Sequence, residues 1–166
     1  MILSALGAAH FASACAALLF GSIVLLEHKG TSSHRALGGA YVAAMVLLNL
    51  TALGVYRLTG QFGPFHALAL VSLAVLIRGI VAAIPRRPGW LVKHYYFMAW
   101  SYVGLLAAAC TEVMARMPLF RGVVGGGQRA VLFGLSIAVL FAVVGMILLP
   151  RLQARALAHQ RGIEPR

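Results

Sequence analysis

A chain of 166 residues that is 61% hydrophobic and 10% charged, with a mean hydropathy of +0.91, is too apolar to hide its surface as a soluble domain. Its net charge of +11 does not read as a nucleic-acid footprint. The 14 Lys and Arg residues sit in short loops and in the C-terminal tail, where membrane proteins keep cations for orientation and for contact with anionic lipid.

The apolar runs approach or exceed the roughly 18 to 20 residues that cross a hydrocarbon core. The expected fold class is therefore all-α, a polytopic membrane protein with a four-helix transmembrane bundle plus a fifth transmembrane helix. The first helix is expected over about 2–27. No Lys or Arg precedes it, so it does not read as a cleaved signal peptide. The second, about 35–57, is entered through KGTSSH, whose Ser and Gly residues form turns and caps. The third, about 64–84, has Pro64 in its first turn and Pro85 at its end. The fourth covers about 90–115. The fifth covers about 129–149 and is expected to close at Pro150, leaving 151–166 as a basic cytoplasmic tail of the single domain 1–150. RGVVGGGQR, between the last two helices, lacks the GK[ST] of a phosphate-binding loop and reads as a flexible connection. Cys15 and Cys110 lie in apolar runs without CxxC spacing and read as small buried hydrophobes.

Orientation follows from the cations. Lys29, Arg35, Arg78, Arg86, Arg87, Lys93, Arg151, Arg155, Arg161 and Arg166 fall on one side. Arg57, Arg116, Arg121 and Arg129 fall on the other. The richer side is expected in the cytoplasm of a bacterial inner membrane, with the N-terminus outside and the C-terminus inside. Trp90, Tyr95, Tyr96 and Trp100 then suit an inner aromatic belt, and Tyr56, Phe62 and Phe65 an outer one. Arg78 snorkels to the inner surface.

Ionisable residues inside apolar spans mark sites or pathways. His10, His28, His34, His66, His94 and Glu112 qualify, whereas His159 belongs to the solvated tail. His28, beside Glu27 at the membrane edge, reads equally well as an interfacial residue. Helices alternate in direction, so His10 and His66 lie toward the outer surface on the first and third helices. His34 and His94 lie toward the inner surface on the second and fourth. His94, Met98, Ser101, Leu105, Ala108 and Glu112 share one helical face, and so do His34, Gly38, Tyr41 and Met45.

One imidazole pair per leaflet, on helices facing each other across a bundle, is the arrangement that ligates two b-type haems. Gly7, Gly38, Gly39 and Gly104 would make room for the flat rings. Arg35 and Lys93 flank the inner pair and suit haem propionates; Arg57, Arg116 or Arg121 would serve outside. His10 and His66 are less well matched in depth. With Glu112 they could instead form a two-histidine, one-carboxylate site for Zn, Fe or Cu, or a proton relay.

The segments HRALGGAYVAAM, FGPFHALALVSLAVL and WLVKHYYFMAWSYVGLLAAACTE, after an early His in the first span, are similar to an uncharacterised bacterial family of predicted membrane proteins. The likeness covers roughly residues 5–115 and carries His10, His34, Arg35, Gly38, Tyr41, His66, His94, Met98, Ser101 and Tyr102 onto matching positions. It implies no settled activity. More loosely, the order of histidines resembles the two-haem transmembrane cytochrome b class, including the ascorbate-reducible cytochromes, in which four antiparallel helices carry one axial histidine each. No ascorbate or flavin motif accompanies it.

The leading expectation is a di-haem b-type electron carrier, with His34 and His94 on an inner haem, His10 and His66 on an outer haem, and Glu112 tuning the outer site. Its expected partners are the lipid bilayer, a quinone or redox protein, and a larger membrane complex docked through 129–149. One alternative is an accessory or assembly subunit, for instance of a haem-copper oxidase, that holds Zn, Cu or Fe through His and Glu. A proton-coupled transporter is the other, although no inverted repeat supports it.

Overall fold

A computed structural model describes residues 5–54, 62–84, 87–117 and 128–160. Five helices account for them: α1 Ala5–Leu26, α2 Ser32–Leu53, α3 Pro64–Ala83, α4 Trp90–Arg116 and α5 Gln128–Gln160. Each contains a stretch long and apolar enough to cross a membrane. Twenty-two residues of α-helix rise about 33 Å, which matches a hydrocarbon core of roughly 30 Å.

Local chemistry sets the boundaries. Thr31 caps α2, its Oγ1 accepting from His34 N at 3.0 Å, so the helix begins at Ser32 rather than at the expected residue 35. Gly30, at φ +85°, supplies the left-handed turn that L side chains resist. Pro64 starts α3 where its missing N–H costs nothing. Gly89, at φ +77°, leads into α4. The expected stop at Pro150 is not observed, because α5 continues to Gln160. Proline removes one backbone hydrogen bond and crowds the preceding turn, yet the helix runs through it. Residues 151–160 thus continue the fifth helix.

α1 packs on α2 and α4, and α3 packs on α2 and α4, so α1 faces α3 and α2 faces α4 along the two diagonals of a square bundle. Residues 27–31 and 87–89 lie at one end, the end carrying Lys29, Arg35, Arg87 and Lys93, called here the basic end. The core is built from Ala17, Tyr41, Met45, Leu76 and Leu105. Outside it, large apolar side chains such as Phe11, Leu19, Val71 and Val139 are more than half exposed. Only 22% of each of the first four spans, and 11% of the fifth, is buried within the protein. A surface of that kind requires lipid.

α5 packs on α4, and two of its glycines form notches, Gly134 against Phe65 of α3 and Thr111 of α4, and Gly145 against Trp100 of α4. A Cβ at Gly134 would stand 2.9 Å from the Phe65 ring, and one at Gly145 would stand 3.0 Å from the Trp100 ring. The two glycines are eleven residues apart, about three turns, and so share one face. The fifth helix is therefore an integral part of the fold, and its other face is apolar and exposed.

Among the described residues both cysteines are free thiols, Cys15 exposed on the outside of α1 and Cys110 half-buried. Arg78 lies 5.8 Å over the Phe97 ring, a cation–π contact on the lipid-facing side of the basic end.

Candidate functional site

The polar residues of α2 and α4 share a register. Ser101 Oγ gives its hydrogen to Met98 O at 2.8 Å, so Tyr41 Oη is the donor in the 2.8 Å bond that joins it to Ser101 Oγ across the core. Both helices run in the same direction. His34 stands seven residues before Tyr41 and His94 seven residues before Ser101, two turns in each case. The two imidazoles consequently stand at one level near the basic end, on the faces that carry the Tyr41–Ser101 bond. His34 lies within electrostatic reach of Lys29, His94, Glu27 and Arg35. Met45 and Leu105, one turn deeper than the bridge, continue the same two faces into the core.

Each ring nitrogen has a distinct environment. His94 Nδ1 meets Gly79 O at 2.9 Å. A carbonyl only accepts, so Nδ1 carries the hydrogen and the neutral ring keeps its lone pair on Nε2. That is the tautomer in which a histidine binds iron or another metal with its far nitrogen while its near nitrogen is held by a backbone oxygen. His34 Nδ1 is buried and makes no hydrogen bond among the described residues. Its backbone N–H, by contrast, is satisfied by the Thr31 cap. A buried imidazole nitrogen without a partner is costly and marks a place where a bound group would be stabilising. One turn deeper, a Cβ at Gly38 would meet only Val24 Cγ2, at 3.9 Å, so there is open room beside His34.

The other glycines expected to make room divide differently. Gly7 is half-buried, but Gly39 and Gly104 are exposed on the lipid side. Residues three or four apart share a face only approximately, and neither glycine turns inward.

The cations of the basic end are partly committed. Lys29 Nζ donates to Val24 O at 2.8 Å and to Leu25 O at 2.7 Å, closing the C-terminus of α1 where unsatisfied carbonyls favour a positive charge. Burial lowers the Lys29 pKa below its ordinary 10.5, against an opposing pull from Glu27. Arg35 donates to Gly30 O at 3.1 Å and retains further donors on its guanidinium. Lys93 is exposed. Arg57 and Arg121, and the side chain of Arg116, lie outside the described residues. His28 is exposed at the membrane edge.

At the far end the two histidines are not equivalent. Thr51 gives its hydroxyl hydrogen to Leu47 O and Leu48 O, so its Oγ1 accepts from His10 Nδ1 at 3.1 Å and leaves the His10 lone pair on Nε2. His66 is buried, and its Nδ1 accepts from Gly63 N at 3.1 Å as the side-chain half of a capping box. The neutral His66 ring therefore keeps its hydrogen on Nε2, and it stacks on Phe62 at 5.1 Å. Glu112, expected on the inward face of α4, is exposed near the end of that helix, where a carboxylate can reach water. Among the described residues no three His, Cys, Asp or Glu side chains gather as a metal set. The two-histidine, one-carboxylate centre of His10, His66 and Glu112 is thus not brought together.

Two participants were not legible as such in the sequence: Gly79, whose carbonyl holds His94, and Thr51, whose hydroxyl holds His10. The only signal at Gly79 was a glycine inside an apolar helix, which more often reports plain packing.

Residues 7–155 match the model of a family described as predicted membrane proteins. No curated protein and no solved structure matches the chain.

Proposed function

The chain belongs to that family of predicted membrane proteins, DUF2306, and from this premise we propose that it is a b-type cytochrome of the bacterial inner membrane, with His34 and His94 as the axial ligands of a haem near the cytoplasmic face. The observation that carries the reading is the common level of His34 and His94, set by the Tyr41–Ser101 bond two turns deeper. Two imidazoles at one height on facing helices are the donor set of a six-coordinate haem.

The residues present fit such a group. His94 is held by Gly79 O with its Nε2 lone pair available. The buried Nδ1 of His34 has no partner among the described residues, and Gly38 leaves space beside that ring. Arg35 and Lys93 stand at the mouth, where cations suit propionate carboxylates. When bound, haem b supplies a one-electron centre. The chain's own contribution is to hold the ligand nitrogens, to exclude water with the Tyr41, Met45 and Leu105 layers, and to balance charge at the basic end.

The far-end pair fits less well. His10 offers Nε2, but His66 would have to move its hydrogen to Nδ1 and release Gly63 N before it could ligate. The proposal therefore rests on the inner site, and a second haem at His10 and His66 is its extension. A quinone or a soluble redox protein would be the electron partner, and the exposed face of α5 is available to another subunit.

An absorption spectrum of protein expressed with sufficient haem supply is the test. Reduced-minus-oxidised Soret and α bands are expected, with the inner haem lost in both His34→Ala and His94→Ala. A folded, colourless protein sinks the reading. Bound Zn or Cu in that colourless protein would favour an accessory metal-binding subunit.

A further inference from the structure

The contact between α3 and α4 beside His94 depends on one missing side chain. Gly79 is buried in the last turns of α3. A Cβ there would stand 2.7 Å from Met98 Sδ, 3.1 Å from Met98 Cγ and 3.3 Å from Phe97 Cβ. Real Cβ atoms do not come within 3.0 Å of a neighbour, so for any larger residue either the Met98 side chain or α4 itself must give way. The same residue presents the carbonyl that accepts from His94 Nδ1 at 2.9 Å. Close approach and ligand orientation are therefore properties of a single position.

We propose that Gly79 is the positioning residue of the inner site: its bare Cα lets α4 come close enough for its carbonyl to hold the His94 hydrogen on Nδ1 and turn Nε2 toward the facing His34. This deepens the haem reading and rests on it for its redox consequence. Three physical effects act together. A hydrogen bond to a backbone oxygen selects one of two neutral tautomers that are otherwise close in energy. The carbonyl belongs to the C-terminal end of α3, where the helix dipole presents partial negative charge. Donation from Nδ1 to that charge makes Nε2 a stronger electron donor, which favours the more positive, oxidised state of an iron bound there.

Met98 is the built-in control. It is an unbranched, adaptable side chain, and its sulfur is the atom that an added methyl group would strike first. Shortening Met98 should return the room that Gly79→Ala takes away.

The experiment compares the full chain with Gly79→Ala and with Gly79→Ala/Met98→Ala, each with 15N-labelled histidine. Two quantities are read. The first is the 15N signal of His94 without haem, assigned by its loss in His94→Gln. The second is the midpoint potential of the haem-loaded protein. The native chain is expected to show His94 with hydrogen on Nδ1. Gly79→Ala should lose that single tautomer, bind haem less tightly and shift the midpoint potential upward. The double variant should move both quantities back toward the native values. A folded Gly79→Ala with the native tautomer and potential overturns the proposal, as does a double variant that recovers neither. If Gly79→Ala does not fold, the double variant decides, and its failure to fold also counts against the proposal. If no chain binds haem, the reading of the function fails, while the tautomer comparison still judges the role of Gly79.

Discussion

Tyr41 and Ser101 meet at 2.8 Å from the parallel helices α2 and α4, each two turns beyond a histidine at the basic end. The bond acts as a pin. A one-residue slip of either helix would turn its face by about 100° and carry its histidine away from the facing one. The pin also has a direction, since Ser101 has already given its hydrogen to Met98 O.

That direction makes the two halves of the bridge unequal. In Ser101→Ala the Tyr41 hydroxyl, in a side chain 1% exposed, is left as a buried donor without a partner, at a cost of about 1–3 kcal/mol. In Tyr41→Phe the donor disappears and Ser101 keeps its bond to Met98 O, so the loss should be about 0.5–1 kcal/mol. Reversible unfolding in mixed detergent micelles would rank the two variants. A larger loss in Tyr41→Phe than in Ser101→Ala would refute the assigned donor.

Thr31 holds the first turn of α2 by accepting from His34 N and donating to His28 O, both at 3.0 Å. Thr31→Ala should cost about 1 kcal/mol, the usual size of an N-cap loss. Hydrogen exchange localised to the His34 and Arg35 amides should accelerate, while exchange around Met45 stays slow. Uniform acceleration along α2 would mean that the cap has no local role.

The notch at Gly145 receives the Trp100 ring. Gly145→Leu should lift α5 from α4 and open Trp100 to the surrounding acyl chains. In a Trp90→Phe background, quenching of the remaining tryptophan by brominated lipid should increase. Unchanged quenching would show that α5 is held elsewhere, for example at Gly134.

Lys29 ties folding to alkaline pH. Burial depresses its pKa below 10.5 in the folded state, so between that lowered value and 10.5 the unfolded chain binds more protons. Stability contributed by this group is therefore fully present above 10.5 and is lost as pH falls through the folded value. Lys29→Met should flatten that rise when Tm is followed across the alkaline range. An equally steep rise in Lys29→Met assigns the effect to another group.

The membrane spans were legible because the bilayer imposes a simple length and composition rule, which α1 to α4 follow closely. The inward faces of α2 and α4 were legible too, since Tyr41, Met45, Ser101 and Leu105 recur at helical spacing from the two histidines. Pro150 misled because its local cost, one lost backbone hydrogen bond and a crowded turn, was read as a stop, whereas α5 runs through it. Gly39, Gly104 and Glu112 misled because helical angle alone does not say which side a neighbouring helix covers.

By itself, the sequence determined that this chain lives in a membrane, crosses it as a bundle of apolar helices, and carries histidines near both ends. Only the tertiary structure decided how the Nδ1 of His94 and of His10 is held. His94 and His10 donate from Nδ1 to partners on other helices, Gly79 and Thr51, whereas Nδ1 of His66 accepts from its own cap. The reason is physical: a residue's identity and its angle on a helix follow from the chain, but a hydrogen bond between helices exists only at the separation that the packing allows, and here a glycine at position 79 sets it.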